Sequence, residues 1–164
     1  MADNCIFTSN KPIHTMTTVK QILEIKGYET YSVSPGATVF EALQIMADKD
    51  CGALMVLDGD GKLVGMLSER DYARKIILHG KSSKESLVQD YMTTELTTAR
   101  PESTTLELMA VMTNKHVRHI PVLDHNKLVG VVSIGDVVNE IIREQDITIK
   151  DLEKYITSSG YGHQ

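Results

Sequence analysis

The chain has 164 residues, of which 41% are hydrophobic and 24% charged, with a formal net charge of −5. That length holds one domain or two small packed halves, and the acidic balance argues against general nucleic-acid affinity, which needs a basic face to release counterions. Trp is absent and aromatics are only 5%, so the core must rest on Ile, Leu, Val and Met, and no run of about 18 apolar residues predicts a membrane span.

Residues 1–15 have no period and lack the basic region and long apolar core of a leader, so they are expected to be a loose arm. Thr17 and Thr18 can cap a short helix, Val19 to Lys26, with Gly27 as its stop. Residues 28–33 alternate like a strand, and Ser34-Pro35-Gly36 is a turn. Val39, Ala42, Leu43 and Met46 fall at i, i+3, i+4 and i+7, which predicts an amphipathic helix ended by Asp50-Cys51-Gly52. Ala53 to Leu57 reads as a buried strand. Asp58-Gly59-Asp60-Gly61 has hairpin-turn chemistry, residues 62–67 form the return strand, and residues 69–79 a second helix. Residues 80–85 are a polar linker. Residues 88–92 resemble the helix at Val19, residues 96–98 can be a lead-in strand, and Arg100-Pro101-Glu102 is a turn. Leu106, Met109, Ala110 and Thr113 then mark another helix face. Strands at 119–123 and 127–132 flank the turn Asp124-His125-Asn126, and residues 134–143 form a helix. A separate last helix is expected at 148–157, where Ile149, Leu152 and Ile156 give a partial stripe, and the tail should fray.

The order runs twice because one phrase does. Residues 62–71 read KLVGMLSERD and residues 127–136 read KLVGVVSIGD. A period of about 65 residues, seen twice, is too long and too rare for a solenoid and indicates a duplicated unit whose copies pack together. The boundaries follow: 1–27 arm and lead-in helix, 28–80 first copy, 81–95 linker and second lead-in helix, 96–145 second copy, 146–164 C-terminal helix and tail.

Ser68-x-x-Asp71 and Ser133-x-x-Asp136 open helices. Capping alone explains such a pattern. A ligand reading is compatible with it, because an ionised Asp can accept both hydroxyls of a ribose diol while a Ser hydroxyl and free helix amides suit a phosphate or sugar oxygen. Gly65 and Gly130 lie inside strands, where glycine marks a close approach either by a ligand or by the opposing copy. Gly59-Asp60-Gly61 with Gly65 has the wrong spacing and the wrong setting for a dinucleotide fingerprint. Asp58, Asp60 and Glu69 match a calcium loop only in part, since Leu63 replaces its glycine. His116, His119 and His125 lack an acid or thiol to complete a metal set. Cys5 and Cys51 make no disulfide framework and no zinc set, which fits a reducing cytosol. No nucleophile–base spacing supports catalysis.

The layout and these motifs resemble the cystathionine-β-synthase (CBS) domain family, as a tandem pair often called a Bateman module. The resemblance rests on Gly-h-h-Ser-x-x-Asp (h apolar) in both copies and on Arg118-His119-Ile120-Pro121-Val122 in the second. The first copy departs there, with Gly52-Ala53-Leu54-Met55-Val56. The resemblance implies an α+β fold of two pseudo-symmetric βαββα repeats packed as one module. It also implies clefts between them that bind an adenosine ligand such as AMP, ATP or NAD, with Asp71 and Asp136 on ribose and His119 at the cleft. Val33-Ser34 and Thr97-Thr98 would line the adenine side. The expected site is thus Val33, Ser34, Ala53, Leu54, Met55, Ser68, Arg70, Asp71, Thr97, Thr98, Arg118, His119, Ile120, Pro121, Ser133 and Asp136.

The cations differ between copies. The first has Arg70, Arg74 and Lys75, where the second has Ile134-Gly135 and Asn139-Glu140; the second has Arg118 and His119 against Gly52 and Ala53. Arg70 and Arg118 are expected on phosphate, with one cleft the tighter. The expected function is a non-catalytic cytoplasmic sensor that binds nucleotide and alters a regulated partner. The other readings are an interaction module with empty clefts and, third, an enzyme acting on a nucleotide. Apolar residues beyond one stripe after each motif predict a homodimer.

Overall fold

A computed structural model of the chain describes residues 16–158. The expected arm at residues 1–15 and the end of the tail lie outside the described residues. The first copy builds a three-stranded sheet in the order β1 (Ser32–Val33), β2 (Ala53–Leu57), β3 (Leu63–Ser68), with β1 parallel and β3 antiparallel to β2. The second builds the antiparallel pair β4 (His119–Asp124) and β5 (Lys127–Ser133). In the first hairpin the Asp58 carboxylate accepts the amides of Asp60 at 3.0 Å and Lys62 at 2.9 Å, fixing the turn. In the second, His125 and Asn126 both take positive φ, 46° and 65°, as a two-residue hairpin requires. Each hairpin carries a register shift at the same place, Val56/Leu57 and Val122/Leu123.

The lead-in strands are shorter than the alternation predicts. The first is the two residues of β1, and the second is a single parallel bridge from Ala99 to Val122 rather than a strand at 96–98. Pro35 and Pro101 follow closely in each copy, and a proline has no amide to extend a ladder. Helices α2 (Val39–Lys49) and α5 (Thr105–Lys115) have matching starts, with capping boxes Thr38/Glu41 and Thr104/Glu107, and matching left-handed ends at Asp50 and His116.

The lead-in helices are exchanged between the copies. Helix α1 (Val19–Lys26) precedes the first copy, yet Val19, Ile22 and Leu23 lie in one core with Leu108, Ile120, Val122 and Val132 of the second. The amides of Val19 and Lys20 bond to the carbonyls of Ser103 and Pro101, and Thr105 bonds back to Thr17. Helix α4 (Val88–Tyr91) precedes the second copy, but Val88 is buried with Val39, Leu54 and Leu67 of the first. Its amides reach Ala37 and Pro35. This answers the question left open by the strand glycines. A Cβ on Gly130 would lie 2.8 Å from the Leu23 side chain, and one on Gly65 would lie 2.5 Å from Met92 Sδ and 3.1 Å from the Thr93 carbonyl. Each glycine makes room for the exchanged lead-in segment.

The helices after the motifs diverge. The single helix expected at 69–79 is α3 (Glu69–Asp71), a π-helical turn at Tyr72–Ile76 and a 3-10 turn at Ile77–His79, stopped by Gly80 at φ 65°. Its counterpart α6 (Ile134–Ser158) runs unbroken for 25 residues and absorbs the separate helix expected at 148–157. Nothing between Ile142 and Ser158 is Gly or Pro, so the chain has no stop signal there.

Candidate functional site: two clefts between the copies

The first cleft, about 430 Å³, joins the Ser-x-x-Asp end of the first copy to the segment before β4 in the second. The chain leaves β3 at Ser68 and turns at once into α3, so Ser68 and Asp71 cap each other. Asp71 Oδ2 accepts the Ser68 amide at 3.0 Å and hydroxyl at 2.7 Å. The other oxygen takes Lys75 Nζ at 2.7 Å, one helical turn on, and the Thr93 hydroxyl at 3.4 Å. Arg70, Arg74 and Lys75 meet Lys115 and Arg118 around this space. Arg70 donates to the carbonyl of His116 at 3.0 Å, so one of its amines holds the C-terminal end of α5.

The second cleft, about 410 Å³, is the pseudo-symmetric counterpart. It sets Ser133 of the second copy against Ala53 and Met55 of β2 and the stretch after α1, including Glu29 and Tyr31. Asp136 caps Ser133 as Asp71 caps Ser68, with Oδ2 accepting the amide at 2.7 Å and the hydroxyl at 2.9 Å. Its cation is not on its own helix. Glu140 stands four residues on, where the first copy has Lys75, and it is buried against Thr17 and Arg143. Lys26 arrives instead from the exchanged helix α1 and bonds Asp136 at 2.6 Å and the Val131 carbonyl at 2.9 Å. Burial pushes the Asp136 carboxyl up, but the Lys26 ammonium and the Ser133 amide outweigh it and hold it below the usual carboxylate range.

His119 and Gly52 border both clefts. A Cβ on Gly52 would lie 3.4 Å from His119 Cε1, so the missing side chain leaves the imidazole its place in the wall. Burial lowers the His119 pKa; Asp136 and Glu69 oppose this, while Lys26 and Arg118 reinforce it. Met55 reaches the second cleft, whereas the intervening Leu54 is fully buried in the first core; Ile120 is likewise buried in the second core. A strand's alternate residues face opposite ways, so a contiguous motif cannot present all its side chains to one cleft. Pro121 is buried beside Ile120. Val33 and Ser34 border a separate shallow depression over α2. Thr97, which receives Lys115 Nζ at 3.3 Å, and the exposed Thr98 line neither of the two clefts. Thr93 and Tyr31 stand there instead. Lys75 was legible as an Asp–Lys pair at i, i+4; Lys26 and Thr93 had no local signal, because they enter through the exchange of lead-ins. No group of His, Cys, Asp and Glu suited to a metal ion occurs among the described residues.

The family model for the CBS domain matches residues 14–78 and 88–143. The chain is 39% identical over 153 residues to the mitochondrial CBS domain-containing protein CBSX3 of Arabidopsis thaliana, covering 88% of this chain and 74% of that one. The solved structure of a protein with CBS domains from Burkholderia ambifaria aligns at a TM-score of 0.76 and 45% identity, over 79% of this chain and 96% of that one. The CBS domain pair of protein MJ0100, solved with 5′-methylthioadenosine and S-adenosylmethionine, shares the fold at a TM-score of 0.66 and 23% identity, over 77% of this chain and 96% of that one. Two family matches on the two halves of one α+β unit, with relatives of the same kind along most of its length, establish that the chain belongs to the CBS domain family as a tandem pair.

Proposed function

We propose that the protein is a non-catalytic regulatory module that reversibly binds an adenosine-containing ligand, AMP, ATP or NAD, in the clefts between its two copies. The observation that carries this reading is the composition of the first cleft. A carboxylate acceptor, Asp71, stands across about 430 Å³ of space from Arg118 and His119, with further cations around it. That is the acceptor a ribose diol needs and the charge a phosphate needs. The adenosine ligands of the MJ0100 pair belong to that protein, and they agree in class. Because each cleft draws walls from both copies, an occupant would stabilise one arrangement of the pair over others, which is how binding becomes a signal to a regulated partner. The module is read as a cytoplasmic homodimer; among the described residues no helix is long and apolar enough to cross a membrane.

The contrary reading, an interaction module with empty clefts, draws on one fact. Both aspartates already hold a cap and an ammonium. Mass spectrometry of ligand released from freshly purified protein, followed by calorimetric titration with AMP, separates the two. We expect retained or titratable nucleotide, with Asp71→Asn weakening AMP by about one to two decades. Absence of binding by AMP, ATP, NAD and adenosine would refute the sensor reading.

A further inference from the structure

The two clefts share a backbone plan but not a charge. Five cationic side chains line the first, Arg70, Arg74, Lys75, Lys115 and Arg118, against the acids Glu69 and Asp71, which leaves a formal excess of three positive charges. Lys26 and Lys49 line the second against Glu29 and Asp50, which leaves none. The engagement of the cations widens the difference. In the second cleft Lys26 is paired with Asp136, and Lys49 sits over the Tyr31 ring, 5.3 Å from its centre. In the first, Arg74 and Arg118 make no ion pair among the described residues.

The backbone does not offset this. The N-terminus of α6 opens at the second cleft, where its dipole would favour an anion. Three of its amides are taken, Ser133 N–H by Asp136, Ile134 N–H by the Arg118 carbonyl at 2.8 Å, and Asp136 N–H by the Ser133 hydroxyl, which leaves that of Gly135. The Asp136 carboxylate already supplies the negative charge there.

We infer that the clefts take different classes of adenosine ligand: the first a phosphorylated one, the second a nucleoside without phosphate, neutral or positively charged at its 5′ end. This rests on the reading of both clefts as adenosine sites. A phosphate entering the second cleft would meet Glu29 and Asp50 with no disengaged ammonium to balance them, and like charge at short range disfavours an occupant. A phosphate entering the first finds guanidinium groups of matching geometry.

The test is titration of the full chain with AMP and with adenosine, followed by amide chemical shifts. Thr93 and Val117 report the first cleft, and Tyr31 and Ala53 the second. We expect AMP to move only the first pair at low concentration and adenosine to move both. AMP should exceed adenosine at the first cleft by about ten- to a hundredfold. Arg118→Ala should reduce that preference, and Arg74→Ala with Arg118→Ala should abolish it. Glu29→Gln with Asp50→Asn should admit AMP to the second cleft while adenosine there is unchanged. AMP filling both clefts of the unaltered protein with equal preference over adenosine would overturn this assignment and leave the sensor reading standing. Absence of any shift with either compound would overturn both.

Discussion

At the residue scale, chemistry concentrates where the copies meet. His119 stands in the wall of both clefts, and burial holds its pKa below the ordinary histidine value. On acidification the unfolded chain therefore takes up this proton before the folded one does. The contribution of His119 is complete above about pH 6.5 and is lost as pH falls from there through its depressed folded value. We expect the melting temperature to drop between about pH 7.5 and 5.5, and the drop to shrink in His119→Asn, measured by circular dichroism. An unchanged pH profile in that variant would place the titration elsewhere. Asp136 behaves differently. Its pKa is also lowered, but it is an acid, so its stabilisation is present above the ordinary carboxylate range and lost as pH falls through the depressed value. Asp136→Ala removes the carboxylate half of the capping box that opens α6 and the anchor of Lys26, while the Ser133 hydroxyl still accepts the amide of residue 136. A whole lost cap costs about 1 kcal/mol, so half a box costs less, and a partly exposed pair also adds less than that; chemical denaturation at neutral pH reads the sum. The doubled Ser-x-x-Asp was legible in the sequence because repetition gave it away. Its partners were not, since Lys26 lies 110 positions from Asp136.

At the element scale the exchanged lead-ins tie the halves into one cooperative unit. Helix α1 contributes Leu23, 1% exposed, to the core of the second copy. Leu23→Ala should destabilise by about 2–5 kcal/mol, and hydrogen exchange should quicken in β4 and β5 before β2 and β3. Loss of protection in the first copy alone would contradict the exchange. The strand glycines test the same packing from the other side. Gly65→Ala would drive a methyl against Met92 and against the Thr93 carbonyl, and the latter is backbone that cannot swing aside. Overpacking of this kind costs about 1–3 kcal/mol. At Gly130 the three nearest atoms all belong to the flexible Leu23 side chain, so thermal melts should show the smaller loss for Gly130→Ala. Periodicity located α1, α2, β2, β3, β4 and β5, because each has a clean apolar stripe or a buried apolar run, and it located α5 but on the wrong face: Leu106, Met109, Ala110 and Thr113 are exposed, while Thr105, Leu108 and Met112 face the core. It did not reveal which core α1 joins. An apolar face says that a helix is covered, and both sheets offered a comparable cover. Nor did it find the π-helical turn at Tyr72–Ile76, whose apolar spacing reads as an ordinary helix.

At the scale of the whole molecule, the apolar surface left over points to a second copy. Ile77 and Leu78 are exposed after the first motif, and Val138 and Ile142 after the second, which are the helices whose apolar excess predicts self-association. The uninterrupted α6 extends that face. Val138, Ile142, Ile149, Leu152 and Ile156, with Gln145 between, follow alternating steps of three and four residues once past Ile142, the spacing of a helix–helix seam. All five apolar members are about half exposed or more. A side chain of this size so exposed offers on the order of 100 Å², so these five supply more than half of the roughly 800 Å² per partner of a standard interface. An isologous pairing presents the same patch from both subunits and closes the assembly at two. We expect light scattering at micromolar concentration to give twice the chain mass of 18.2 kDa. Ile142→Glu with Leu152→Glu should give a monomer that keeps its circular dichroism spectrum, because neither side chain belongs to a buried core cluster. A monomer mass for the unaltered protein, with and without AMP, would refute the dimer. A dimer that survives both substitutions would move the interface off α6 and onto the exposed Leu106 and Met109 of α5.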